Sequence, residues 1–339
     1  MSTKTFHVAI VGATGAVGRE MLKTLEERRF PIDSLRLMAS SRSAGQEISF
    51  GEEILIVEDL EKADFSGIDF ALFSAGGATS LAHGPRAAKA GAVVIDNTSA
   101  FRMDPEVPLV VPEVNPEAIT HHKGIIANPN CSTIQMVVAL KPLASHYGLE
   151  RLVISTYQSA SGAGQKGIEE LLEGSRAFLA SQPEPEPATF AHPLAFEALP
   201  QIDVFDESGY TREELKMIRE TRKIMSLPDL DISATCVRVP VLRSHAEAVT
   251  VDLRSDFELS ELRELLASSE GIEILDDPAS SLYPLSRKAA GTDPCWIGRI
   301  RRDFTRPRTV HFWVVSDNLR KGAALNAVQI AETMSKDWK

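Results

Sequence analysis

The chain of 339 residues is 43% hydrophobic and 24% charged, and it carries a formal net charge of −11 at pH 7. Its length favours two domains that each bury a core, while the acidic balance and the lack of a basic cluster with interleaved aromatics argue against a nucleic-acid-binding protein. No apolar run approaches the roughly 20 residues of a membrane span, and three widely spaced cysteines, Cys131, Cys236 and Cys295, argue against a disulfide framework and favour the reducing cytoplasm.

The first half of the chain alternates short apolar runs with helical segments. Residues 6–11, FHVAIV, have the composition of a buried parallel strand. A glycine turn and an amphipathic helix follow, and residues 77–91 form a second predicted helix that Gly91 ends. Further runs suited to strands occupy residues 35–40, 54–58, 69–75 and 92–97. This order predicts a Rossmann-type open parallel sheet with right-handed crossovers, an α/β fold.

The turn after the first strand, GATGAVG, stands where a dinucleotide fingerprint is expected. A pyrophosphate needs a tight turn, close approach of the backbone and a helix N-terminus directed at it. The spacing here is G-x-x-G-x-x-G and departs from the usual G-x-G-x-x-G, so a plain strand-to-helix turn is the alternative. The predicted cofactor-binding residues of this turn are Gly12, Thr14, Gly15, Ala16 and Val17.

The end of the second predicted strand bears on the choice between NAD and NADP. At this position an acid accepts a bond from the ribose 2′-hydroxyl, whereas an arginine meets a 2′-phosphate. The strand runs into the sequence SSRS and has no acid at its tip. Hydroxyls beside a guanidinium favour a phosphate, so Ser41 and Arg42 are predicted to bind NADP. A solvated loop arginine is the alternative interpretation.

A cysteine stands at the predicted start of a buried helix, in the sequence NPNCST. Cys131 would meet unsatisfied N–H groups and the positive end of the helix dipole there, and both favour the thiolate. Taken alone, such a cysteine is more often a small buried hydrophobe. Together with a nucleotide-binding turn, it predicts hydride transfer through a covalent thioester. No metal site is expected, because the chain has no Cys-x-x-Cys or His-Glu-x-x-His spacing.

Beyond Cys131 the predicted strands are longer and alternate more clearly, which favours a mixed, largely antiparallel sheet. The patterned segments are residues 151–164, 231–253 and 308–318, with helices near residues 164–179, 211–225 and 258–269. The Pro-rich segment 181–200 is expected to be an ordered excursion or a mobile loop, serving a subunit interface or a cover. The last segment is an amphipathic helix suited to packing on the first domain. The predicted domains are therefore 1–130 completed by 320–339, for nucleotide binding, and 131–319, for catalysis and dimerisation.

Five motifs occur in order along nearly the whole chain: GATGAVG, NPNCST, YQSASGAG, EELK and RVPVLRSHAE. Together they resemble the aspartate-semialdehyde dehydrogenase family, and the NPNCST form resembles its branch in many bacteria outside the enteric group. The resemblance implies reversible NADP-dependent reductive dephosphorylation of L-4-aspartyl phosphate to L-aspartate 4-semialdehyde through a cysteine thioester. It also implies a place in lysine (diaminopimelate), threonine and methionine biosynthesis. The expected partners are a small-molecule substrate, phosphate and further copies of the chain, in a homodimer or tetramer.

By this resemblance three residues take part in the chemistry. Cys131 is the nucleophile, and Gln158 positions the reacting group, which a neutral amide does without competing for protons. His245 carries the proton, as a histidine can near neutral pH. Without the resemblance, Gln158 is equally a strand amide satisfied by the backbone, and His245 a structural histidine.

Five substrate-binding residues are implied in the same way. Arg238 lies in an apolar strand, so it needs an anion, either the substrate carboxylate or an internal acid. Glu213 and Lys216 bind the substrate ammonium and a phosphate in the family, although alone they resemble an ordinary helix-surface ion pair. Arg102 and Asn130 contact the phosphate.

The helix that carries Glu213 also carries a neighbouring acid. Thr211 and Glu214 have the spacing of a capping box, so Glu214 is predicted to be structural. Glu213 then discriminates against the nearest rival, N-acetyl-γ-glutamyl-phosphate reductase, whose blocked substrate amine offers no ammonium to an acid. The retained Cys131, Gln158 and His245 argue against a non-catalytic nucleotide-binding relative.

NADP is the cofactor that the resemblance implies, and it adds contacts outside the glycine turn. Asn318 lies just before the C-terminal helix, which fits the return of that helix to the nucleotide domain. The further cofactor-binding residues implied are Ser74, Ala75, Gly76, Ser161, Gly162 and Asn318.

Overall fold

The computed structural model describes residues 4–336 and residue 338. These residues form two compact units. The first unit comprises the chain up to Asn130 and again from Ala323 onward, and the second unit is the segment between them. Within the described residues, no helix is long and apolar enough to cross a membrane. In the same part of the chain, no group of three or more His, Cys, Asp and Glu side chains is arranged to hold a metal ion.

Helices and strands alternate along the described chain. The strands are β1 (Phe6–Val11), β2 (Ile32–Ala39), β3 (Glu47–Phe50), β4 (Glu53–Asp59), β5 (Phe70–Phe73), β6 (Val93–Asp96), β7 (Ile125–Ala127), β8 (Leu149–Gln158), β9 (Asp231–Arg238), β10 (His245–Leu253), β11 (Ile272–Ile274), β12 (Cys295–Arg302) and β13 (Thr309–Ser316). The helices are α1 (Ala16–Glu27), α2 (Gly77–Lys89), α3 (Cys131–Tyr147), α4 (Gln165–Leu179), α5 (Arg212–Met225), α6 (Leu259–Ala267), α7 (Ser286–Ala289) and α8 (Leu325–Lys336). A π-helical turn, Arg320–Ala324, leads into α8.

The sheet of the first unit has the order β3-β4-β2-β1-β5-β6-β7. All pairings from β4 to β7 are parallel, so the predicted Rossmann-type sheet is confirmed. β3 runs antiparallel to β4 and adds an edge strand that the sequence pattern did not predict. β7 extends the other edge and was also not predicted, because a three-residue run carries too little pattern to be recognised alone.

Both faces of the first sheet are buried. Alternate residues of β1 show this, since Val8 and Ile10 pack in a cluster that includes residues of α1 and α8. Ala9 and Val11 point the other way, into a cluster that includes Ala87 of α2. A parallel sheet covered in this way leaves the carboxyl ends of its strands as the edge where ligands bind.

The C-terminal helix α8 belongs to the first unit. It packs against α1, where Arg28 donates two hydrogen bonds of 2.7 Å to the carboxylate of Glu332. The predicted domain boundary at residue 320 lies inside the π-helical turn, and the first unit resumes at Ala323. A segment remote in sequence therefore completes the first unit by covering its sheet.

The sheet of the second unit has the order β11-β12-β13-β10-β8-β9. β10 is antiparallel to both β8 and β13, and β12 is antiparallel to β13. The edge pairs β8–β9 and β11–β12 are parallel. The predicted mixed, largely antiparallel sheet is confirmed. The segment predicted as one run, residues 231–253, is two strands separated by a turn over residues 239–244.

Helix α3 covers one face of this second sheet. It contacts β8, β10, β12 and β13, and its residues from Ser132 to Leu140 are all buried. Alternate residues of β10, among them Val249 and Val251, are buried on the sheet beneath it. Since the helix is apolar nearly all round, it can lie in this layer and present its first residue, Cys131, at one end.

The Pro-rich segment 181–200 contains no helix or regular strand. It is nevertheless anchored, because the carboxylate of Glu170 accepts the backbone N–H groups of Ala188, Thr189 and Phe190. The Phe190 ring packs against a small apolar cluster of the second unit. These contacts favour the ordered excursion over the mobile loop.

Candidate active site

Cys131 is the first residue of α3, as its sequence context predicted. Its thiol is partly exposed, whereas Cys236 and Cys295 are fully buried. Burial, followed by the charge of Glu213, raises the pKa of the Cys236 thiol far above its usual range. Of the three described cysteines, Cys131 therefore has the access and the helix position that a nucleophile needs. Gly322 packs directly against it, since a Cβ on this glycine would lie 2.8 Å from Cys131 Cβ.

Three predicted site residues lie at one end of three adjacent strands. Arg238 ends β9 and pairs in register with Gln158, which ends β8. His245 begins the antiparallel strand β10, whose next residue pairs with Tyr157. Gln158, Arg238 and His245 are buried. The sheet register thus brings Gln158 together with Arg238 and His245, which lie 80 and 87 residues later in the sequence.

The His245 ring is held in one orientation by β8. Its Nδ1 accepts the backbone N–H of Ser159 over 3.0 Å and lies 3.2 Å from the Ser159 hydroxyl. Nε2 has no hydrogen-bond partner among the described residues. Burial, and secondly the charge of Arg238, lowers the pKa of His245 well below its ordinary value. The ring is therefore neutral, with an available donor at Nε2.

Arg238 is a buried cation at the same place. One guanidinium nitrogen donates to the carbonyl of Ser159 over 2.7 Å, and the ring of Phe190 lies 5.7 Å from the guanidinium carbon. Burial lowers the pKa of Arg238, and Glu213 partly offsets that change. A Cβ on Gly162 would lie 2.7 Å from Arg238 Nη1 and 3.2 Å from His245 Nε2, so a side chain there would displace these two tips.

Glu213 and Lys216 are joined to this group from α5. Glu213 is buried; it accepts Nε2 of Gln158 over 3.2 Å and Nζ of Lys216 over 3.2 Å. Lys216 also donates to Asp203 over 2.9 Å. Burial would lower the pKa of Lys216, but the two acids outweigh burial and raise it. The surface ion-pair interpretation is wrong for Glu213, which lies inside the cluster.

The neighbouring acid of the same helix is structural, as predicted. Glu214 accepts the backbone N–H of Thr211 while the Thr211 hydroxyl accepts the backbone N–H of Glu214, so the capping box is confirmed. Glu214 also accepts the backbone N–H of Cys236 over 2.9 Å. Two adjacent acids thus face different surroundings.

Asn318 and Ser161 lie beside the His245 loop in the second unit. Asn318 Oδ1 accepts the hydroxyl of Ser161 over 3.0 Å, the hydroxyl of Ser159 over 3.3 Å and the backbone N–H of Ser244 over 2.9 Å. Ser244 has a positive φ of 76°, an uncommon conformation for a residue with a side chain. Asn318 therefore stabilises the turn that presents His245.

In the first unit, the glycine turn follows β1 as predicted. Gly12 has φ of 90°, and a Cβ there would lie 2.4 Å from the carbonyl oxygen of Ser74, at the end of β5. Helix α1 begins at Ala16, and its first turn carries no acid and no side-chain cap among the described residues. Gly76, with φ of 92°, precedes α2 in the same way. Uncapped helix N-termini beside a bare backbone fit a pyrophosphate.

The loop after β2 carries Ser41 and Arg42. Both are exposed, and the Ser43 hydroxyl lies 3.5 Å from that of Thr14 in the glycine turn. An acid is close to this tip after all, because Asp59 at the end of β4 accepts the Ser41 hydroxyl over 3.1 Å. Its Oδ1 also accepts the backbone N–H of Glu61.

Arg102 is held by an asparagine network in the first unit. Its guanidinium donates to the carbonyls of Asn128 and Asn97, both over 2.9 Å. The Asn128 amide donates to Asn97 Oδ1 over 2.6 Å, and its oxygen accepts the Asn326 amide over 2.6 Å. Asn130 is buried two residues later. Arg102 is thus hydrogen-bonded to Asn128, the first residue of the turn that precedes Cys131.

The comparisons with known proteins agree along the chain. Residues 7–122 match the family model described as "Semialdehyde dehydrogenase, NAD binding domain", and residues 140–321 match "Semialdehyde dehydrogenase, dimerisation domain". The chain is 53% identical to the aspartate-semialdehyde dehydrogenase of Aquifex aeolicus (strain VF5), with 98% of each chain covered. It is 51% identical to that of Bacillus subtilis (strain 168), with 97% of each covered.

The chain belongs to the aspartate-semialdehyde dehydrogenase family. A solved structure of aspartate semialdehyde dehydrogenase II from Vibrio cholerae complexed with ASA is similar at a TM-score of 0.97 and 49% identity, covering 99% of this chain and 100% of that one. The predicted family, oxidoreductase class and fold are confirmed. The two matched domains support a nicotinamide cofactor and an oligomer.

Several residues that contact the predicted site residues were missed in the sequence. They do so through tertiary packing: Asp59, Asn97, Asn128, Ser159, Asp203 and Gly322. Asn326 was missed too, and its amide donates to Asn128. Some signal existed, because Asn128 stands in NPNCST and Ser159 in YQSASGAG, inside the motifs already recognised. Asp203, Gly322 and Asn326 stand outside those motifs.

Proposed function

We propose that the chain catalyses the reversible NADP-dependent conversion of L-4-aspartyl phosphate to L-aspartate 4-semialdehyde through a thioester on Cys131. The observation that carries the proposal is a partly exposed cysteine at the start of α3, in the same unit as the buried group of Gln158, Arg238, His245 and Glu213. A thiolate nucleophile, a proton carrier and two opposite charges are what an α-amino acyl phosphate requires.

The two buried charges would select the substrate by its ends. Arg238 would bind the α-carboxylate, a bidentate task suited to a guanidinium. Glu213 would bind the α-ammonium while Gln158 keeps its carboxylate oriented through their 3.2 Å bond. Since a desolvated charge without a partner is costly, a substrate lacking either end would bind weakly.

The first step forms the thioester. The Cys131 thiolate attacks the acyl carbon, a C–S bond forms, and the C–O bond to phosphate breaks as phosphate leaves. Arg102, Lys216 and Asn130 would stabilise the leaving phosphate, and the two acids beside Lys216 keep it protonated for that role. His245 Nε2–H would donate to the developing oxyanion, with Gln158 positioning the reacting group.

The second step returns the thiol. A nicotinamide supplies a hydride in this family of reactions, and it would reduce the acyl carbon to the aldehyde level. The C–S bond then breaks, L-aspartate 4-semialdehyde leaves, and the Cys131 thiolate is regenerated. His245 stays neutral in both steps, because burial disfavours the charged ring, and its Nε2–H acts as a hydrogen-bond donor to the oxyanion.

The cofactor would be NADP. Gly12 and Gly15 would approach the pyrophosphate, Thr14, Ala16 and Val17 complete that turn, and the exposed Arg42 with Ser41 would meet the 2′-phosphate. Further contacts would come from the remaining predicted residues: Ser74, Ala75, Gly76, Ser161, Gly162 and Asn318.

The domain roles follow from the same proposal. The first unit would bind nucleotide, and the second would carry catalysis and the contacts of a homodimer or tetramer. The three cysteines of the described chain form no disulfide with one another, which is consistent with a reducing cytoplasmic location. The products would serve lysine, threonine and methionine biosynthesis.

The test is phosphate-dependent NADP reduction with L-aspartate semialdehyde and, in parallel, N-acetylglutamate semialdehyde. Turnover with the first alone is expected, because Glu213 needs an ammonium. Cys131→Ala should lose turnover while keeping NADP binding, and Cys295→Ala, at a buried cysteine outside the site, is the control. Wild-type turnover by Cys131→Ala would eliminate the thioester, and turnover with the acetylated substrate alone would overturn the assignment of Glu213.

A further inference from the structure

A second buried acid lies next to the catalytic group and has no role in the mechanism above. Glu247 stands two residues after His245 on β10, so both side chains are on the same face of the sheet. Its side chain is fully buried. Neither carboxyl oxygen has a hydrogen-bond partner among the described residues.

Among the residues that the structure describes, no cation acts on Glu247. Thr156 on β8 and Val314 on β13 lie opposite it in the register, and the Cys236 thiol follows beyond Thr156 on β9. Three acids act on this thiol, Glu213 and Glu214 of α5 and Glu247 itself, while the Arg238 guanidinium acts on it from the end of β9. Adding another negative charge to this layer would be unfavourable.

Gln135 of the covering helix acts on Glu247. Helix α3 packs on β10, Gln135 and Glu247 are both buried, and the Gln135 amide is, among the described residues, the one side chain that offsets the effect of burial on the pKa of the Glu247 carboxyl. Both its amide oxygen and its amide nitrogen lack other partners in the described chain. Gln135 is four residues after Cys131, which places it one helical turn below the thiol on the same face of α3.

The chemistry of the two groups is complementary in one protonation state only. A neutral carboxylic acid donates its O–H to the amide oxygen and accepts the amide N–H, which satisfies both side chains. A carboxylate would leave the amide oxygen facing a negative charge. Burial raises the pKa of Glu247 well above its ordinary value, and the Gln135 amide offsets this only in part.

We propose that Glu247 is held as a neutral carboxylic acid paired with Gln135, and that this pair positions the Cys131 helix against the His245 strand. The inference rests on the proposed roles of Cys131 and His245. Both partners of the pair are positioning residues, because neither would touch the substrate. The pair joins α3 to β10 one turn from the thiol and two residues from the imidazole, where a small shift changes the distance between nucleophile and proton carrier.

We expect a disturbance of the Glu247–Gln135 pair to change kcat and not KM. The residues proposed to bind the substrate, Arg238 and Glu213, are on β9 and α5. Disturbing the pair should therefore lower kcat and the alkylation rate of Cys131 while leaving the KM for aspartate semialdehyde little changed. A misplacement of about 1 Å can cost on the order of 100-fold in rate.

The experiment compares a neutral hydrogen-bonding replacement with an apolar one of similar size. Glu247→Gln keeps a neutral group with a donor and an acceptor, and it should stay within about threefold of wild-type kcat. Glu247→Met and Gln135→Met remove one partner each and should lower kcat roughly 10- to 100-fold with KM within about threefold. The double Met variant should be no worse than either single one, because the two residues act as a unit.

An infrared measurement on the intact enzyme tests the protonation state directly. In D2O at pH 8, the wild type should show a carbonyl band of a protonated carboxylic acid that Glu247→Gln lacks. This comparison holds even where the Met variants fail to fold. The absence of that band difference, or a loss in Glu247→Gln as large as in Glu247→Met, would overturn the proposal.

These outcomes are independent of the thioester test. Retained turnover in Cys131→Ala would contradict the proposed function, but the infrared band would still report the protonation state of Glu247. Conversely, if Cys131→Ala shows no turnover while a folded Glu247→Met keeps the wild-type kcat, that pair of results would support the thioester mechanism and contradict the positioning role of Glu247.

Discussion

Ser159 donates its backbone N–H to Nδ1 of His245 over 3.0 Å. A backbone N–H cannot accept a proton in return, so the neutral imidazole carries its hydrogen on Nε2. An imidazolium would set a second N–H against the first, which adds to the cost of burial and to the repulsion from Arg238. The main chain of β8 thereby assigns both the tautomer and the charge of the proposed proton carrier.

The stability of the protein should therefore depend on pH through His245. The pKa of His245 is lowered in the folded chain from an ordinary value of 6.5. Below pH 6.5, His245 binds a proton in the unfolded chain but not in the folded chain. The free energy of unfolding therefore falls as pH drops, by up to about 1.4 kcal/mol per pH unit. Urea unfolding at pH 7.5 and 5.5 should show a larger loss for wild type than for His245→Gln. His192→Gln, at an exposed histidine, should follow wild type; equal losses in all three proteins would contradict the assignment.

Replacement by glutamine should have different effects at the two adjacent acids of α5, Glu213 and Glu214. Glu213→Gln removes the charge proposed to bind the substrate ammonium, so the KM for aspartate semialdehyde should rise roughly 10- to 100-fold, the worth of a charged hydrogen bond. The KM for NADP should change little. Steady-state kinetics with each substrate varied in turn measures this difference.

Glu214→Gln is the matched control for that experiment. It weakens the capping box with Thr211 and the bond to the Cys236 N–H, so the free energy of unfolding should fall by about 1 kcal/mol. Its KM for aspartate semialdehyde should stay within about twofold of wild type, because ordinary effects away from a site are small. A KM increase in Glu214→Gln equal to that in Glu213→Gln would remove the special role of Glu213.

Local signals explain which parts of the site could be predicted. The capping box of Thr211 and Glu214 spans three residues, and Cys131 follows a polar turn and precedes an apolar helix, so both positions depend on nearby sequence. The alternation of short strands and helices likewise predicts the parallel sheet. These features depend on hydrophobic periodicity and helix-capping residues, which are both local in the sequence.

The remaining contacts depend on register and packing. The amide of Asn326 donates to Asn128, 198 residues earlier, and no periodicity connects them. Lys216 is bonded to Asp203, which stands outside its helix. β3 is antiparallel in an otherwise parallel sheet because a tight turn, not a crossover helix, joins it to β4. Such pairings are tertiary and could not be read from residue types alone.

Gly322 should be intolerant of a side chain. A Cβ there would lie 2.8 Å from Cys131 Cβ, closer than such atoms approach, so Gly322→Ala should displace the thiol. The kcat should fall roughly 10- to 100-fold, and overpacking should cost about 1–3 kcal/mol of stability. Kinetics and urea unfolding on one preparation measure both. A variant with wild-type kcat and unchanged stability would show that the contact relaxes freely.

Arg42 should decide between the two nicotinamide cofactors. It is exposed on the loop after β2, in the position proposed to meet the 2′-phosphate. Arg42→Ala should raise the KM for NADP roughly 10- to 100-fold, the loss of a charged hydrogen bond, while the KM for NAD stays unchanged. Arg36→Ala, on the strand β2 that precedes this loop, is the matched control, because Arg36 is paired with Glu58 and should affect stability without changing the preference. Equal losses with NADP and NAD in Arg42→Ala would show that this arginine does not bind the 2′-phosphate.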